Sequence, residues 1–185
     1  MKINRRKKRL KTEHYDYFTP IIDWAKEKGI LENGRLTKQL LKSTEECLEL
    51  QNAIESYENG NKEALIEIKD AIGDVYVTLV ISTQMKLNHP YIVFRKIKLR
   101  ENNLIIPVDF KFYTTELKRL DLDLYTSFTG EITYDLDLKI AKYVEFLDFL
   151  AKTYDLKLID CIEFAYNTIS KRKGKMIDGS FVKEK

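Results

Sequence analysis

The sequence predicts an all-α fold, a helical bundle interrupted by one segment of different character. Two observations predict the bundle. Apolar residues recur at helical spacing on both sides of the short turn Glu58-Asn59-Gly60-Asn61, and the same spacing returns over residues 138–165. A third observation sets the stretch between them apart. Residues 87–138 hold Pro90, Pro107 and the β-prone runs Tyr91-Ile92-Val93-Phe94 and Leu104-Ile105-Ile106, which allow short strands.

In chain order, residues 1–11 are crowded with Lys and Arg around Arg5-Arg6-Lys7-Lys8-Arg9. Residues 1–14 therefore read as a flexible basic tail ahead of a single helical domain at 15–185; an arm for nucleic acid or a partner is the alternative. Phe18, Ile21, Ile22, Trp24 and Ala25 form an amphipathic packing surface, so the only tryptophan is either core or a platform for a base. Before the turn, Leu36, Leu40, Leu41, Cys47, Leu48 and Ile54 cluster on one side of a helix. Gln39, Lys42, Glu46, Glu49 and Ala53 share a narrower stripe. After it, Ile68, Ile72, Val75 and Leu79 form one stripe, while Glu67, Asp70, Asp74, Thr78 and Ile81 form another. Within the insert, residues 114–124 suit a helix and Gly130 marks a break. Ile140, Tyr143, Val144, Leu147, Leu150 and Ala151, then Leu158, Cys161, Ile162 and Ala165, supply two further helices that close the bundle. The last helix runs into Lys171-Arg172-Lys173-Gly174-Lys175, with Gly174 as its cap.

Composition narrows the function classes modestly. The 185 residues suffice for one domain with a sizeable core, and a net charge of +3 argues against a dedicated nucleic-acid binder. No apolar stretch approaches the roughly 20 residues of a membrane span, and the N-terminus lacks the apolar core of a signal peptide, so a cytoplasmic protein is expected. Cys47 and Cys161 stand alone in helical patterns and read as buried free thiols; His14 and His89 have no partner pattern.

The acids of the helical hairpin carry the chemistry. In an antiparallel pair folded at Asn59 and Gly60, residues equidistant from the turn lie at one height, which sets Glu49 level with Asp70 and Glu46 level with Asp74. Glu67 falls roughly one turn away and is the reserve candidate, and Glu45 lies off the shared stripe. Converging carboxylates repel outside bulk water, and a fold that gathers them supplies a cation or raises a pKa. Oxygen-only ligands favour Mg²⁺, with Mn²⁺ as substitute, and Mg²⁺ commonly takes its remaining ligands from water and substrate phosphates. Near a helix end, Lys171, Arg172 and Lys175 suit the remaining phosphate charge, and Asn167 offers an amide on the same face; an ordinary basic helix C-terminus is the alternative reading.

At these residues the chain resembles the MazG-like nucleotide pyrophosphohydrolases of the all-α NTP pyrophosphatase superfamily. Glu45-Glu46-Cys47-Leu48-Glu49-Leu50 followed by Asp70-Ala71-Ile72-Gly73-Asp74-Val75 is similar to that family's ExxE and ExxD metal signature. Ala71 stands where the pattern usually has Glu, so Asp70, or else Glu67, would take that place. Ile22-Asp23-Trp24-Ala25-Lys26-Glu27-Lys28-Gly29-Ile30, Gln39-x-x-Lys42, the run from Glu163 to Asn167, the basic cluster and Val182-Lys183-Glu184 resemble the phage-type members. The likeness covers residues 20–86 and 140–185, leaving 87–138 as the insert.

The resemblance implies hydrolysis of a nucleoside triphosphate, NTP or dNTP, to the monophosphate and pyrophosphate, in a homodimer or homotetramer. Glu46, Glu49, Asp70 and Asp74 would hold one or two Mg²⁺ ions, and Glu46 would also serve as the base toward water. Lys42, Asn167, Lys171, Arg172, Lys175 and Trp24 would bind substrate. No glycine-rich phosphate loop occurs, so phosphate binding would rest on metal and side chains. The alternatives are an all-α dUTPase or dCTPase, a phosphoribosyl-ATP pyrophosphatase, and a non-catalytic module that binds nucleotide, nucleic acid or a protein partner.

Overall fold

The computed structural model describes residues 12–99, 110–130 and 135–184. A 3-10 turn at His14–Tyr17 leads into α1 (Phe18–Glu27) and the short α2 (Ile30–Asn33). The long hairpin follows as α3 (Leu36–Glu58), a 3-10 turn at Lys62–Ala64 and α4 (Leu65–Lys86). Then come α5 (Pro90–Lys96), α6 (Phe110–Thr129), α7 (Leu136–Thr153) and α8 (Leu158–Ile169), and the described chain closes with β1 (Gly174–Ile177) and β2 (Ser180–Lys183). The all-α expectation holds, and no helix among the described residues is long and apolar enough to cross a membrane.

Helix α4 is the shaft of the molecule. Its residues 71–83 are all buried, because α3, α8, α1 and α7 all pack against it. A helix buried all round has no polar face to spare, so the two acids it carries on that stretch and just before it, Asp74 and Asp70, need a special setting. The closest approach is at Gly73. A methyl group there would run into the Cys161 carbonyl and come within 2.6 Å of the Ala165 Cβ, so the absence of a side chain lets α8 lie directly on α4.

Several elements differ from the sequence reading. Tyr91-Ile92-Val93-Phe94 is helical in α5, where Pro90 occupies the first turn and needs no amide partner there; Leu104-Ile105-Ile106 lies outside the described residues. The strands stand instead in the tail. Asp178 and Gly179 both take positive φ, 48° and 80°, and form the two-residue loop of an antiparallel hairpin in which Ile177 pairs with Ser180 and Gly174 with Lys183. Gly174 thus opens a strand and does not cap α8, whose C-cap is Ser170. Leu41 and Leu48, placed with the apolar set, are 49% and 55% exposed, since α3 turns Leu40, Cys47, Leu50 and Ile54 into the core.

Folded structure also begins before residue 15. Of the basic tail, residues 1–11 lie outside the described residues, but His14 is buried. Its Nε2 donates to the Ile97 carbonyl (3.3 Å), and the Tyr76 hydroxyl donates to the His14 carbonyl (3.0 Å) while lying 3.1 Å from Nδ1. Burial lowers this imidazole below its usual 6.5. The unfolded chain therefore takes up the proton first as pH falls, so this contribution is full above 6.5 and is lost on descending through the folded value. Thermal melts from pH 7 to about 5 are expected to show a fall in midpoint that His14→Gln flattens.

Both cysteines are buried free thiols, as expected. Cys47 Sγ lies 2.6 Å from the Tyr143 hydroxyl, and burial pushes the Cys161 thiol up to about 12.

Candidate functional site

Helices α3 and α4 bring Glu46 and Asp74 to one cavity of about 450 Å³, roofed by the C-terminal hairpin. Only 4% of Glu46 and 8% of Asp74 remain exposed. Lys42, one turn before Glu46, places Nζ 2.8 Å from Glu46 Oε1 and 3.2 Å from Glu45 Oε2. From just beyond α8, Arg172 reaches Asp74 with Nη2 3.7 Å from Oδ2. The Gly73 contact matters here, because α8 can deliver Arg172 to α4 only if the two helices lie close.

The three inner acids feel one another. Burial, then repulsion from Glu46, pushes Asp74 up to about 7 against the pull of Arg172. Glu46 is raised by burial in spite of Lys42, with Glu49 adding repulsion. Asp70 is raised by burial and by Glu46, again with Arg172 opposing, and its buried Oδ1 has no hydrogen-bond partner. Lys42 shows the converse: burial lowers its pKa, but the bonds to Glu46 and Glu45 outweigh that and hold it above its ordinary value.

The other site residues are distributed unevenly. Glu49 is exposed, does not line the cavity and touches the group only through its repulsion of Glu46. A step of three residues along α3 rotates the side chain off the line from Lys42 to Glu46, which explains its outward place. Glu67 is exposed and outside the cavity wall. Trp24 is both core and wall: it is 8% exposed, lines the cavity, meets Phe181 edge to face at 5.8 Å, and its indole N–H has no partner. Of the basic cluster only Arg172 reaches the acids. Asn167 and Lys171 are exposed and away from the cavity, and Lys175 points outward because β1 alternates its faces.

Three cations of the cavity wall were not among the expected site residues, Arg35, Lys38 and Lys183. The first two continue the Lys42 stripe backward at helical spacing, a signal present in the sequence. The third is brought in by the hairpin, announced by Asp178-Gly179.

Among the described residues, no three Asp, Glu, His or Cys side chains converge at metal-ligating separation; Lys42 and Arg172 sit against the acids. The donor set nevertheless suits a hard divalent cation. It is all carboxylate, it carries raised pKa values that a cation would relieve, and Asp70 Oδ1 is a buried acceptor without a donor. Comparison with protein-family models, curated proteins and solved structures found no match to the chain.

Proposed function

We propose that this protein is a MazG-like, metal-dependent pyrophosphohydrolase that converts a nucleoside triphosphate to the monophosphate and pyrophosphate. The observation that carries this reading is a trio of acids raised by burial and by one another's charge: Glu46 and Asp74 in the cavity wall beside Lys42 and Arg172, and half-buried Asp70, outside that wall but within reach of the repulsion from Glu46. Such a trio is costly without a cation, and a polyphosphate is the substrate that arrives with metal and needs adjacent Lys and Arg.

Glu46, Asp70 and Asp74, with Glu49 at the edge, would hold Mg²⁺ or Mn²⁺. Bound there, the ion would polarise the α-phosphate and make an attacking water more acidic. The residues do the rest. A phosphate entering the cavity competes with Glu46 and Glu45 for Lys42, and with Asp74 for Arg172, so substrate draws both cations off the acids. Glu46, its pKa raised by burial, is placed to take the proton of the water. The water oxygen bonds to the α-phosphorus as the bridge to the β-phosphate breaks, and pyrophosphate leaves with the broken bridge oxygen. Trp24 and Phe181 offer an apolar wall for the nucleoside. Leu41 and Leu48, exposed on α3, are the surface on which we place the homodimer or homotetramer contact of a cytoplasmic enzyme.

Pyrophosphate release should be measured across the common NTPs and dNTPs with Mg²⁺, Mn²⁺ or EDTA. Metal-dependent release that is lost in Glu46→Gln is the expected result, and the panel separates a general hydrolase from a dUTPase or dCTPase. Nucleotide binding with no release under any metal would favour the non-catalytic reading, in which Lys42 and Arg172 stay on the acids.

A further inference from the structure

The first two turns of α3 form a ladder of positive charge that leads to the acids. Arg35, Lys38 and Lys42 stand at spacings of three and four residues, all three line the cavity, and the same stripe then reaches Glu46. From Lys38 to Glu46 the helix rises about 12 Å, and from Lys42 to Glu46 about 6 Å. Across the cavity, Lys183 on β2 adds a fourth cation. Lys42 is engaged by Glu45 and Glu46, whereas Arg35, Lys38 and Lys183 form no ion pair among the described residues.

That arrangement opposes the field of the helix. The N-terminal end of α3 already carries partial positive charge, and its first turn holds no acid. Three unpaired cations gathered there repel one another and the helix end, and an anion along the ladder offsets that repulsion by attracting each of them. The hairpin fixes the far side: the Arg35 amide donates to the Gly179 carbonyl (3.1 Å), which ties the Lys183 strand to the start of α3.

We infer that Arg35, Lys38 and Lys183 form a subsite for the distal phosphates of a linear polyphosphate, which lies along α3 with its reacting end at the acids. The inference rests on the hydrolase reading for the position of the reacting end, but the subsite itself recognises a phosphate chain with or without a nucleoside. Its consequence is discrimination by phosphate number, since a single phosphate cannot occupy both the acid end and the Lys38 level.

The test uses inorganic tripolyphosphate and orthophosphate, with binding to the full chain measured by calorimetry in the absence of divalent metal. Tripolyphosphate is expected to bind more than tenfold tighter than orthophosphate. Lys38→Ala and Lys183→Ala should each weaken tripolyphosphate about fivefold to twentyfold and bring its affinity closer to that of orthophosphate. Both side chains are exposed, so folding is not at stake, and Lys118→Ala on α6, exposed and outside the cavity wall, controls for general charge. Equal affinity for the two anions, or an equal loss in Lys118→Ala, overturns the inference. The two readings fail separately. Preferential tripolyphosphate binding without turnover of any nucleotide would sink the hydrolase and keep the subsite; metal-dependent turnover with KM unaltered in Lys38→Ala and Lys183→Ala would do the reverse.

Discussion

Asp74→Asn is expected to abolish metal-dependent turnover while making the metal-free chain more stable. The two effects share one cause. Asp74 is raised from 3.8 to about 7 by burial and by Glu46, so holding it ionised above pH 7 costs the fold roughly 4 kcal/mol relative to the unfolded chain. A raised carboxyl contributes stability below its unfolded value and loses it as pH rises through the folded one. Asparagine removes the charge but leaves Arg172 without its partner, so about half of that cost, about 2 kcal/mol, is expected back. For a chain of this size that is a rise in Tm of about 5 °C at pH 8, shrinking toward nothing near pH 4. Activity should fall more than about 100-fold, since even outer partners of metal ligands cost 10–100-fold. Melting curves at several pH values beside pyrophosphate release check both halves. An unchanged Tm at pH 8 would show that the acid is not under strain.

Gly73→Ala is expected to act in the opposite direction on stability and in the same direction on activity. Alanine favours a helix over glycine by about 1 kcal/mol, yet here its methyl group meets the Cys161 carbonyl and the Ala165 Cβ. Both are fixed parts of α8, so the helices must separate, at a cost of about 3 kcal/mol for overpacking. The net loss of about 2 kcal/mol should lower Tm by about 5 °C. Because α8 carries Arg172, the same separation withdraws the guanidinium from Asp74, and pyrophosphate release should fall with it. Chemical denaturation gives the first quantity. A variant as stable as the parent would mean that α8 can slide without strain.

The hairpin can be unlatched more gently. Gly179 has φ of 80°, and a Cβ there would meet Arg35 Cγ at 2.7 Å. Gly179→Ala should therefore free the strands at a local cost of about 1–2 kcal/mol. Trp24, which Phe181 covers, is the only tryptophan and reports the change. Its emission should shift to the red and become easier to quench while the Tm of the bundle hardly moves.

The hairpin of α3 and α4 was legible because a 3.6-residue period over more than five turns fixes both faces, and the turn at Asn59 and Gly60 fixes the heights. That geometry is why Glu46 and Asp74 could be placed opposite one another. Glu49 shows its limit, since a stripe drawn on one helix does not say how far the neighbour extends to cover it. Residues 90–94 misled because β-branched and aromatic side chains were weighed above Pro90, which starts helices well. The basic run 171–175 has the composition of a charged helix end, whereas the signal for the strands is Asp178-Gly179, among the strongest short signals for a hairpin. Without that hairpin, neither the cavity roof nor Lys183 is visible from sequence.

The order in which the site assembles follows from its connectivity. Helices α3 and α4 meet across a short turn, so their contact is local and closes early in folding, whereas α8 must find α4 from far along the chain and joins late. The acids therefore come together before Arg172 arrives to offset them. On that order Asp74 would wait for its guanidinium partner until α8 docks, and refolding is expected to quicken when the solvent supplies the missing cation, whether as Mg²⁺ or as a proton.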